Sequence, residues 1–296
     1  MQDRKFDHIS ERILDVSVYI VLTLFCLSTV LPFILILIVS VSDEASIINN
    51  GYSFFPSRFS LEAYKLIFSD SLVLRAYLVT TIVTVTGTTL SVLLCGMAGY
   101  GISLKKVKYR GNIALYFYLP MIFSAGLVPW YLVVTKTLHL KDNIFALILP
   151  YLVSPFHIFL FRNYFKTIPD SLRESAEIDG GTPFQIFIRI ILPLAKPILA
   201  TVLLFTALGY WNDWMLALWL IDDKDLYPLQ YMLYRIMSLI LFKKSGGGMS
   251  VGDTGTVPMQ SVQVATLFVT IGPIILLYPF VQKYFVKGIM MGAIKE

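Results

Sequence analysis

Charged residues are scarce in this chain, and their scarcity decides the class of protein. Only 15 % of its 296 residues are Asp, Glu, Lys or Arg and 56 % are hydrophobic, whereas a soluble domain has about 25 % charged residues. The mean hydropathy is +0.72, and apolar runs of about 20 residues, the length that crosses a bilayer as a helix, recur along the chain. The composition excludes an ordinary soluble domain and predicts an all-α polytopic membrane protein.

The sequence has only two cysteines and three histidines and lacks a phosphate-binding loop. These features argue against a disulfide framework, a metal site and ATP hydrolysis by this chain. Cys26 and Cys95 lie in apolar runs without a pairing pattern, so we expect buried thiols and no disulfide. The histidines, His8, His139 and His157, lack the spacing of metal ligands. The sequence contains no Gly-x-x-x-x-Gly-Lys-Ser/Thr loop, so any ATP hydrolysis must occur on another chain. We expect this chain to bind no cofactor or metal.

Six apolar stretches are long enough to be membrane spans. We place them near 14–40, 76–104, 112–135, 143–161, 194–220 and 262–286. The first run is far longer than the core of a cleavable signal peptide, so we expect it to remain as a span. Six spans put both termini on the same side of the membrane.

Basic residues concentrate in the segments that one orientation places in the cytoplasm. The turn 105–111 carries four basic residues and no acidic one, and the segment 162–196 carries five basic residues. Because cytoplasmic loops are enriched in Lys and Arg, we expect both termini and both segments inside, with 41–75 and 221–261 outside. The basic balance then reflects topology, and no nucleic-acid partner is expected.

The most informative stretch is a charged island at 174–193, interrupted by Gly and Pro. Ser171 with Glu174 three residues later is typical of a capping box at the start of a short helix. Gly180 ends that helix, because glycine adopts a left-handed C-terminal conformation at little cost. The segment 182–185, Thr-Pro-Phe-Gln, then starts a second short helix.

This stretch resembles the EAA loop of ABC importer permeases, with the pattern Glu-Ala-Ala, three residues, Gly, nine residues, Ile, one residue, Leu-Pro. The positions that match are Glu174, Ala176, Gly180, Ile190, Leu192 and Pro193. Ser175 is the one departure, a small residue in place of another. Asp179, Thr182, Pro183 and Phe184 extend the resemblance to the carbohydrate-uptake branch, such as the inner-membrane permeases for maltose.

The resemblance implies a type I importer permease with six transmembrane helices and cytoplasmic coupling helices in the loop 167–193. It implies a non-catalytic subunit in the bacterial inner membrane, paired with a second homologous permease, two ATPase subunits and an extracellular solute-binding protein. ATP and Mg²⁺ would act on the ATPases, and a sugar or oligosaccharide would cross by alternating access. Ser175 and Ala176 would allow close approach to an ATPase and Glu174 would meet a charged partner. The alternative is a capped connector between two spans.

The fifth span contains a polar and aromatic cluster. Tyr210, Trp211, Asn212 and Asp213 follow one another within an apolar helix. Polar groups within a membrane usually face an aqueous cavity, and aromatic rings suit sugar stacking, so these residues are candidates for the substrate pathway. The alternative is an aromatic belt at the outer membrane interface.

The last outer loop, 221–261, contains an amphipathic piece at 229–240 and a glycine-rich segment. Gly246, Gly247, Gly248 and Gly252 are candidates for contact with the binding protein, because a backbone without side chains enters narrow spaces. A flexible linker before the last span is the alternative.

Other functional classes remain open at this point. An ion-coupled secondary transporter is expected to carry a mid-membrane carboxylate, and Asp213 is the one clear candidate. The same architecture also imports amino acids, peptides or ions, and a membrane scaffold would transport nothing. Uptake that requires both ATP and an added binding protein separates the importer from the secondary transporter and the scaffold.

Overall fold

The computed structural model describes residues 3–69, 71–244 and 260–272, and its regular structure there is helical. The α-helices are α1 (Asp3–Ser40), α2 (Glu44–Asn50), α3 (Glu62–Ser69), α4 (Ser71–Ser103), α5 (Arg110–Ile122), α6 (Leu127–Leu132), α7 (Pro155–Phe165), α8 (Asp170–Ile178), α9 (Pro183–Ile186), α10 (Leu192–Leu194), α11 (Lys196–Trp211), α12 (Met215–Leu220), α13 (Leu229–Lys244) and α14 (Gln260–Gly272). Short 3₁₀ turns cover Ile144–Leu147, Leu149–Tyr151 and Lys224–Leu226, and π turns cover Val133–Thr137 and Phe187–Ile191. The predicted all-α class is confirmed.

Two single helices are long and apolar enough to cross a membrane, Leu14–Ser40 within α1 and the whole of α4. Three more candidates are helix pairs bent at a short break, by 114°, 46° and 87°. In the same order, these pairs are Arg110–Ile122 with Leu127–Thr137, Ile144–Tyr151 with Pro155–Phe165, and Pro183–Leu194 with Lys196–Trp211. Helix α14 occupies the start of the sixth predicted span, whose remainder, 273–286, lies outside the described residues. The described helices are consistent with six spans.

The breaks in the bent spans have local causes. Gly126 precedes α6 with a φ of +83°, a conformation that favours glycine. Prolines occupy the first turns of α7 and α11, at Pro155 and Pro197. Because proline lacks an N–H, it fits a helix start and interrupts a continuous helix. The spans expected at 112–135 and 143–161 are therefore broken rather than straight. The span expected at 194–220 begins at a bend before α11 and is broken again between α11 and α12.

One compact unit contains α1, α2, α3 and α14. Val39, Ile47 and Val264 form its small buried core. The Glu44 carboxylate accepts hydrogen bonds from the N–H groups of Gln260 (2.9 Å) and Ser261 (2.8 Å). An acidic side chain thereby satisfies unpaired donors at the N-terminus of α14.

Most of α1 has no covering within the described chain. The side chains of residues 14–34 are all exposed. Cys26 is among them, so the expectation of a buried thiol is wrong for Cys26 and confirmed for Cys95. An apolar helix of this length, exposed on all sides, is stable only when lipid or another chain surrounds it.

The second compact unit is built on α4, which packs against α7 and α11. The backbone of α4 approaches α7 closely at Gly99, where an added Cβ would lie 2.6 Å from the Cβ of Phe161 and 2.8 Å from the carbonyl oxygen of Ile158. Phe161 and Phe165 are fully buried and their rings stack 5.6 Å apart. Glycine is required where two helices pass at this separation.

At the predicted outer side, the turn before the fourth span is tied to the segment after α12. Asp142 has a φ of +54°, and its carboxylate accepts the N–H groups of Asp222 and Asp223, the latter at 2.9 Å. These two hydrogen bonds lower the pKa of the Asp142 carboxyl. The Lys141 ammonium lies 2.7 Å from the Asp222 carboxylate. We call these contacts of Lys141 and Asp142 with Asp222 and Asp223 the clasp. Helix α13 follows the clasp in the chain and contains the amphipathic piece expected at 229–240.

Candidate functional site

The predicted coupling stretch folds as two short helices, α8 and α9, joined by a tight turn. Gly180 has a φ of +84°, and its N–H donates to the carbonyl of Glu177 (3.0 Å) while that of Gly181 donates to Ala176 (2.9 Å). This pair of bonds is a Schellman motif, which satisfies the last carbonyls of α8. A Cβ at position 181 would lie 2.8 Å from the Ala176 carbonyl oxygen. The turn therefore depends on both glycines.

The start of α9 is the capping box predicted from the sequence. The N–H of Gln185 donates to the hydroxyl of Thr182 (3.3 Å), and the N–H of Thr182 donates to the side-chain carbonyl of Gln185 (3.0 Å). Pro183 occupies the first turn. The start of α9 is thus specified by contacts between residues close together in the sequence.

The start of α8 differs from the prediction. The helix begins at Asp170, with Pro169 at the cap position and no capping hydrogen bond from a side chain. Ser171 consequently lies inside the first turn, where it cannot act as the cap of a box with Glu174. Asp170, in the first turn, instead places a negative charge near the positive end of the helix dipole.

A buried arginine attaches α8 to the helix bundle. Arg173 is 6 % exposed, and its guanidinium donates to the backbone carbonyl of Phe165 at the end of α7 (2.7 Å) and to the Asp170 carboxylate (3.2 Å). The same guanidinium lies 5.8 Å from the centre of the Tyr100 ring in α4. One side chain thereby connects α8 to both α7 and α4.

Two ion pairs on the surface join α8 to the basic turn 105–111. The Lys105 ammonium lies 2.9 Å from the Asp170 carboxylate, and Lys106 pairs with Glu177. The hydrogen bond and charge of Lys105 lower the pKa of Asp170, and those of Glu177 raise the pKa of Lys106. Exposed ion pairs contribute little to stability. These two pairs therefore affect the position of α8 against the turn 105–111 more than the stability of the fold. The two segments with the densest basic charge meet on one side of the unit.

The face of the loop that points to solvent is partly apolar. Ile178 is 86 % exposed and Phe184 is 60 % exposed, next to the exposed Glu174 and Ser175. Ala176 differs from these neighbours, because its side chain is half-buried and packs against the core of the second unit. The exposed residues therefore offer more surface to a partner than Ala176 does, and the predicted contact of Ala176 with an ATPase stays a prediction.

The end of the motif forms the junction between the loop and α11. Ile190 and Leu192 are half-buried and pack on the core, whereas Pro193 is exposed. The ring of Phe187, in the π turn, stacks on Tyr100 with centres 5.1 Å apart. The segment that follows α9 therefore contacts α4 and also leads into α11.

A second feature of this unit is a cavity of about 500 Å³ beside the C-terminal end of α11. It is lined by Pro150, Tyr151, Val153, Ser154, His157, Phe205, Thr206, Gly209, Tyr210, Asn212, Asp213, Trp214 and Met215. Three of the predicted pathway residues, Tyr210, Asn212 and Asp213, belong to this lining. The fourth, Trp211, does not, because it is buried in a cluster with Ala76 and Leu229.

Two polar residues of the cavity, Asn212 and Asp213, lie at a break between helices and not within a continuous helix. Helix α11 ends at Trp211 and α12 begins at Met215. The Asp213 carboxylate accepts hydrogen bonds from the Tyr151 hydroxyl and from the N–H of Leu216, both at 3.2 Å. The carboxylate thus satisfies a free N–H at the start of α12, which stabilises the break.

Known proteins match this arrangement over nearly the whole chain. A crystal structure of a bacterial ABC transporter that imports the acidic polysaccharide alginate superposes with a TM-score of 0.82 and 30 % identity, covering 93 % of this chain and 98 % of that chain. The polygalacturonan/rhamnogalacturonan transport system permease protein YtcP of Bacillus subtilis is 38 % identical over 285 residues, covering 96 % of this chain and 99 % of the relative. The arabinooligosaccharides transport system permease protein AraQ of the same organism is 28 % identical over 289 residues, covering 94 % and 97 %.

The family of binding-protein-dependent transport system inner membrane components matches residues 3–291. The chain belongs to this family. It is therefore an ABC transport permease, the non-catalytic membrane subunit of an importer, as the EAA resemblance indicated.

Sequence reasoning missed the role of Arg173 in the permease's loop. In the sequence Arg173 is one of several basic residues in segment 162–196, yet its side chain contacts both α7 and α4. Its spacing of three from Asp170 is a local signal for pairing on a helix. No local signal indicates the Phe165 carbonyl or the Tyr100 ring.

The glycine-rich candidates of the permease's outer loop lie outside the described residues. These are Gly246, Gly247, Gly248 and Gly252. Their predicted contact with a binding protein stays a prediction.

Proposed function

We propose that this permease is the membrane subunit of an ATP-driven, binding-protein-dependent importer of sugars or oligosaccharides that works by alternating access. The observation that carries the proposal is the two-helix loop, anchored to the bundle by Arg173 and exposing apolar side chains on its outer face. The substrate class is supported by the relatives, whose names specify polygalacturonan, arabinooligosaccharides and alginate, all of them carbohydrates.

The loop docks into a groove on an ATPase subunit through Ile178 and Phe184. Both are large apolar side chains that the described chain leaves mostly exposed. Burying an apolar side chain of this size stabilises a complex by roughly 1.5–3 kcal/mol, so the two together favour docking by several kcal/mol. Glu174, which is exposed beside them, faces a charged group of the ATPase.

Motion of the ATPases reaches the bundle through buried contacts. Arg173 connects α8 to the Phe165 carbonyl and the Tyr100 ring, and Phe187 stacks on the same ring. Because closely packed groups transmit displacement with little slack, α4, α7 and α11 move with the loop. ATP and Mg²⁺ act on the ATPases, since this chain has no phosphate loop.

The cavity beside α11 forms part of the sugar pathway. Its lining combines the aromatic side chains of Tyr151, Tyr210 and Trp214 with the polar groups of Asn212 and Asp213. Aromatic faces stack on the C–H groups of a sugar ring, and amide and carboxylate groups hydrogen-bond its hydroxyls. A volume of about 500 Å³ lies within the usual range for small-molecule pockets, roughly 300–1,000 Å³.

The assembly requires further chains. A second homologous permease and membrane lipid cover the exposed side chains 14–34 of α1, two ATPases bind inside, and a solute-binding protein docks outside. Both termini and the loop 167–193 face the cytoplasm of the bacterial inner membrane, as the basic residues predict. Segments 41–75 and 221–261 face the binding protein.

The test is to disrupt the apolar docking surface. Ile178→Asp and Phe184→Asp should leave the permease in the membrane but reduce co-purification of the ATPases and binding-protein-dependent uptake of oligosaccharides, each by about tenfold or more. The matched control is Tyr109→Asn, an exposed residue on the neighbouring turn whose φ of +62° asparagine tolerates. If both aspartate variants still bind the ATPases and support uptake, docking through this face is refuted.

A further inference from the structure

A groove lies between α5 and α7, and none of the preceding roles involves it. Its volume is about 530 Å³. It is lined by Gly111, Ala114, Leu115, Tyr118, Met121, Phe159, Arg162 and Asn163. The rings of Tyr118 and Phe159 meet edge to face at 6.2 Å and join the two helices. Most of the lining is apolar, and one end carries a cation.

The length of the groove corresponds to one leaflet of a bilayer. Its lining on α5 runs from Gly111 to Met121, ten residues or roughly 15 Å at 1.5 Å per residue. The hydrocarbon core of a membrane is about 30 Å thick. Gly111 follows the basic turn 105–111, so under the proposed topology the groove lies in the cytoplasmic leaflet. Only this assignment to the cytoplasmic leaflet depends on the proposed function.

The cytoplasmic end of the groove has a concentration of positive charge. Arg162 lines it, Lys166 follows one helical turn later, and Arg110 begins α5. The charge of Arg162, partial desolvation and the charge of Arg110 lower the pKa of Lys166. No described carboxylate forms an ion pair with any of these three cations. The charge is therefore available for an external anion.

The guanidinium of Arg162 also has an unused donor. It lies 5.8 Å from the centre of the Phe159 ring, and its buried Nε receives no hydrogen-bond partner from the described residues. A buried N–H without an acceptor costs stability, and a phosphate oxygen supplies that acceptor. A guanidinium, which is a phosphate-binding group, thus belongs to the lining of a mostly apolar groove.

We propose that this groove binds an anionic phospholipid of the cytoplasmic leaflet, with its phosphate at Arg162 and Lys166 and an acyl chain along Tyr118 and Phe159. Basic pockets between transmembrane helices on the cytoplasmic side bind anionic lipid headgroups elsewhere. The neighbouring permease is disfavoured as occupant, because it would need to bring an acidic group into an apolar groove of the bilayer. A free phosphate would leave the apolar walls unused.

Native mass spectrometry of the full-length chain, purified in mild detergent with its co-purifying subunits, tests the proposal. Phosphatidylglycerol and phosphatidylcholine of matched acyl chains are titrated as probes. Phosphatidylglycerol should bind more tightly, and each of Arg162→Gln and Lys166→Gln should weaken it roughly fivefold, the effect of one cation near a membrane surface. Lys166 is exposed, so its replacement does not endanger folding. Arg12→Gln removes an exposed cation of α1 and should leave binding unchanged.

Two further arms identify the occupant. Leu115→Trp fills the groove without altering charge and should also weaken phosphatidylglycerol binding, whereas millimolar inorganic phosphate should not displace the lipid. Equal binding of both lipids, equal loss in Arg12→Gln, or displacement by phosphate would overturn the proposal. So would efficient cross-linking of Leu115→Cys to the second permease in place of lipid. None of these results depends on ATPase docking.

Discussion

Replacing Arg173 tests whether the coupling loop is a rigid extension of the bundle. In Arg173→Met the side chain keeps the apolar stem of arginine but loses the hydrogen bond to the Phe165 carbonyl, the contact with Asp170 and the guanidinium near Tyr100. A hydrogen bond from a charged donor contributes about 1.5–3 kcal/mol, and a cation–π contact about 0.5–1 kcal/mol.

The net loss is smaller than this sum, because methionine also removes the cost of burying a guanidinium. The Phe165 carbonyl also keeps a long bond from the N–H of Ile168 (3.4 Å). We therefore expect local attachment of α8 to weaken by about 2 kcal/mol, which is roughly a 30-fold rise in local opening. The global free energy of unfolding should change little, because the packing of α4, α7 and α11 stays intact.

Amide hydrogen exchange of the purified chain measures this opening directly. Peptides covering 170–178 should exchange roughly 30-fold faster in Arg173→Met, while those of α11 stay as in the wild type. Lys105→Gln is the matched control, because it breaks only the exposed pair with Asp170 and should change exchange little. If Arg173→Met exchanges like Lys105→Gln, the buried anchor has no mechanical role and the reasoning fails.

Three more predictions concern packing, acid sensitivity and topology. Gly99→Ala should lower the thermal unfolding midpoint, at a cost of about 1–3 kcal/mol, whereas Gly101→Ala, with no atom within 4 Å of the added Cβ, should not; equal midpoints would contradict the close approach. Because the pKa of Asp142 is lowered in the folded chain, its clasp should hold above its ordinary pKa of about 4 and open as the pH falls below it. Asp142→Asn should speed exchange of the clasped amides roughly three- to fivefold at neutral pH, and no change would refute the clasp. In a cysteine-free chain, Lys108→Cys should resist an impermeant maleimide added to intact cells while Lys224→Cys reacts, and the reverse result would invert the topology.

The local signals of the coupling loop were sufficient to predict its turn. The capping box of Thr182 and Gln185 and the left-handed Gly180 occur as the sequence indicated. Both depend on contacts between residues a few positions apart, so the sequence contains all the information they need. The start of α8 was misplaced because Asp170 and Ser171 both suit a first turn, and local preference does not choose between them.

The helical class and the family were likewise determined by the sequence itself, whereas the bounds of the six spans stay predictions. Hydrophobic length follows from the thickness of the bilayer, and the spacing from Glu174 to Pro193 is a property of the chain. Only the tertiary structure decided which side chains face a neighbour. A span that is apolar on every side has no polar stripe to mark its inner face, so adjacent residues could not be separated by pattern. Tyr210 therefore lines the cavity while Trp211 packs away from it, and Arg173, one basic residue among many in the sequence, is buried against a carbonyl eight positions earlier and a ring in α4.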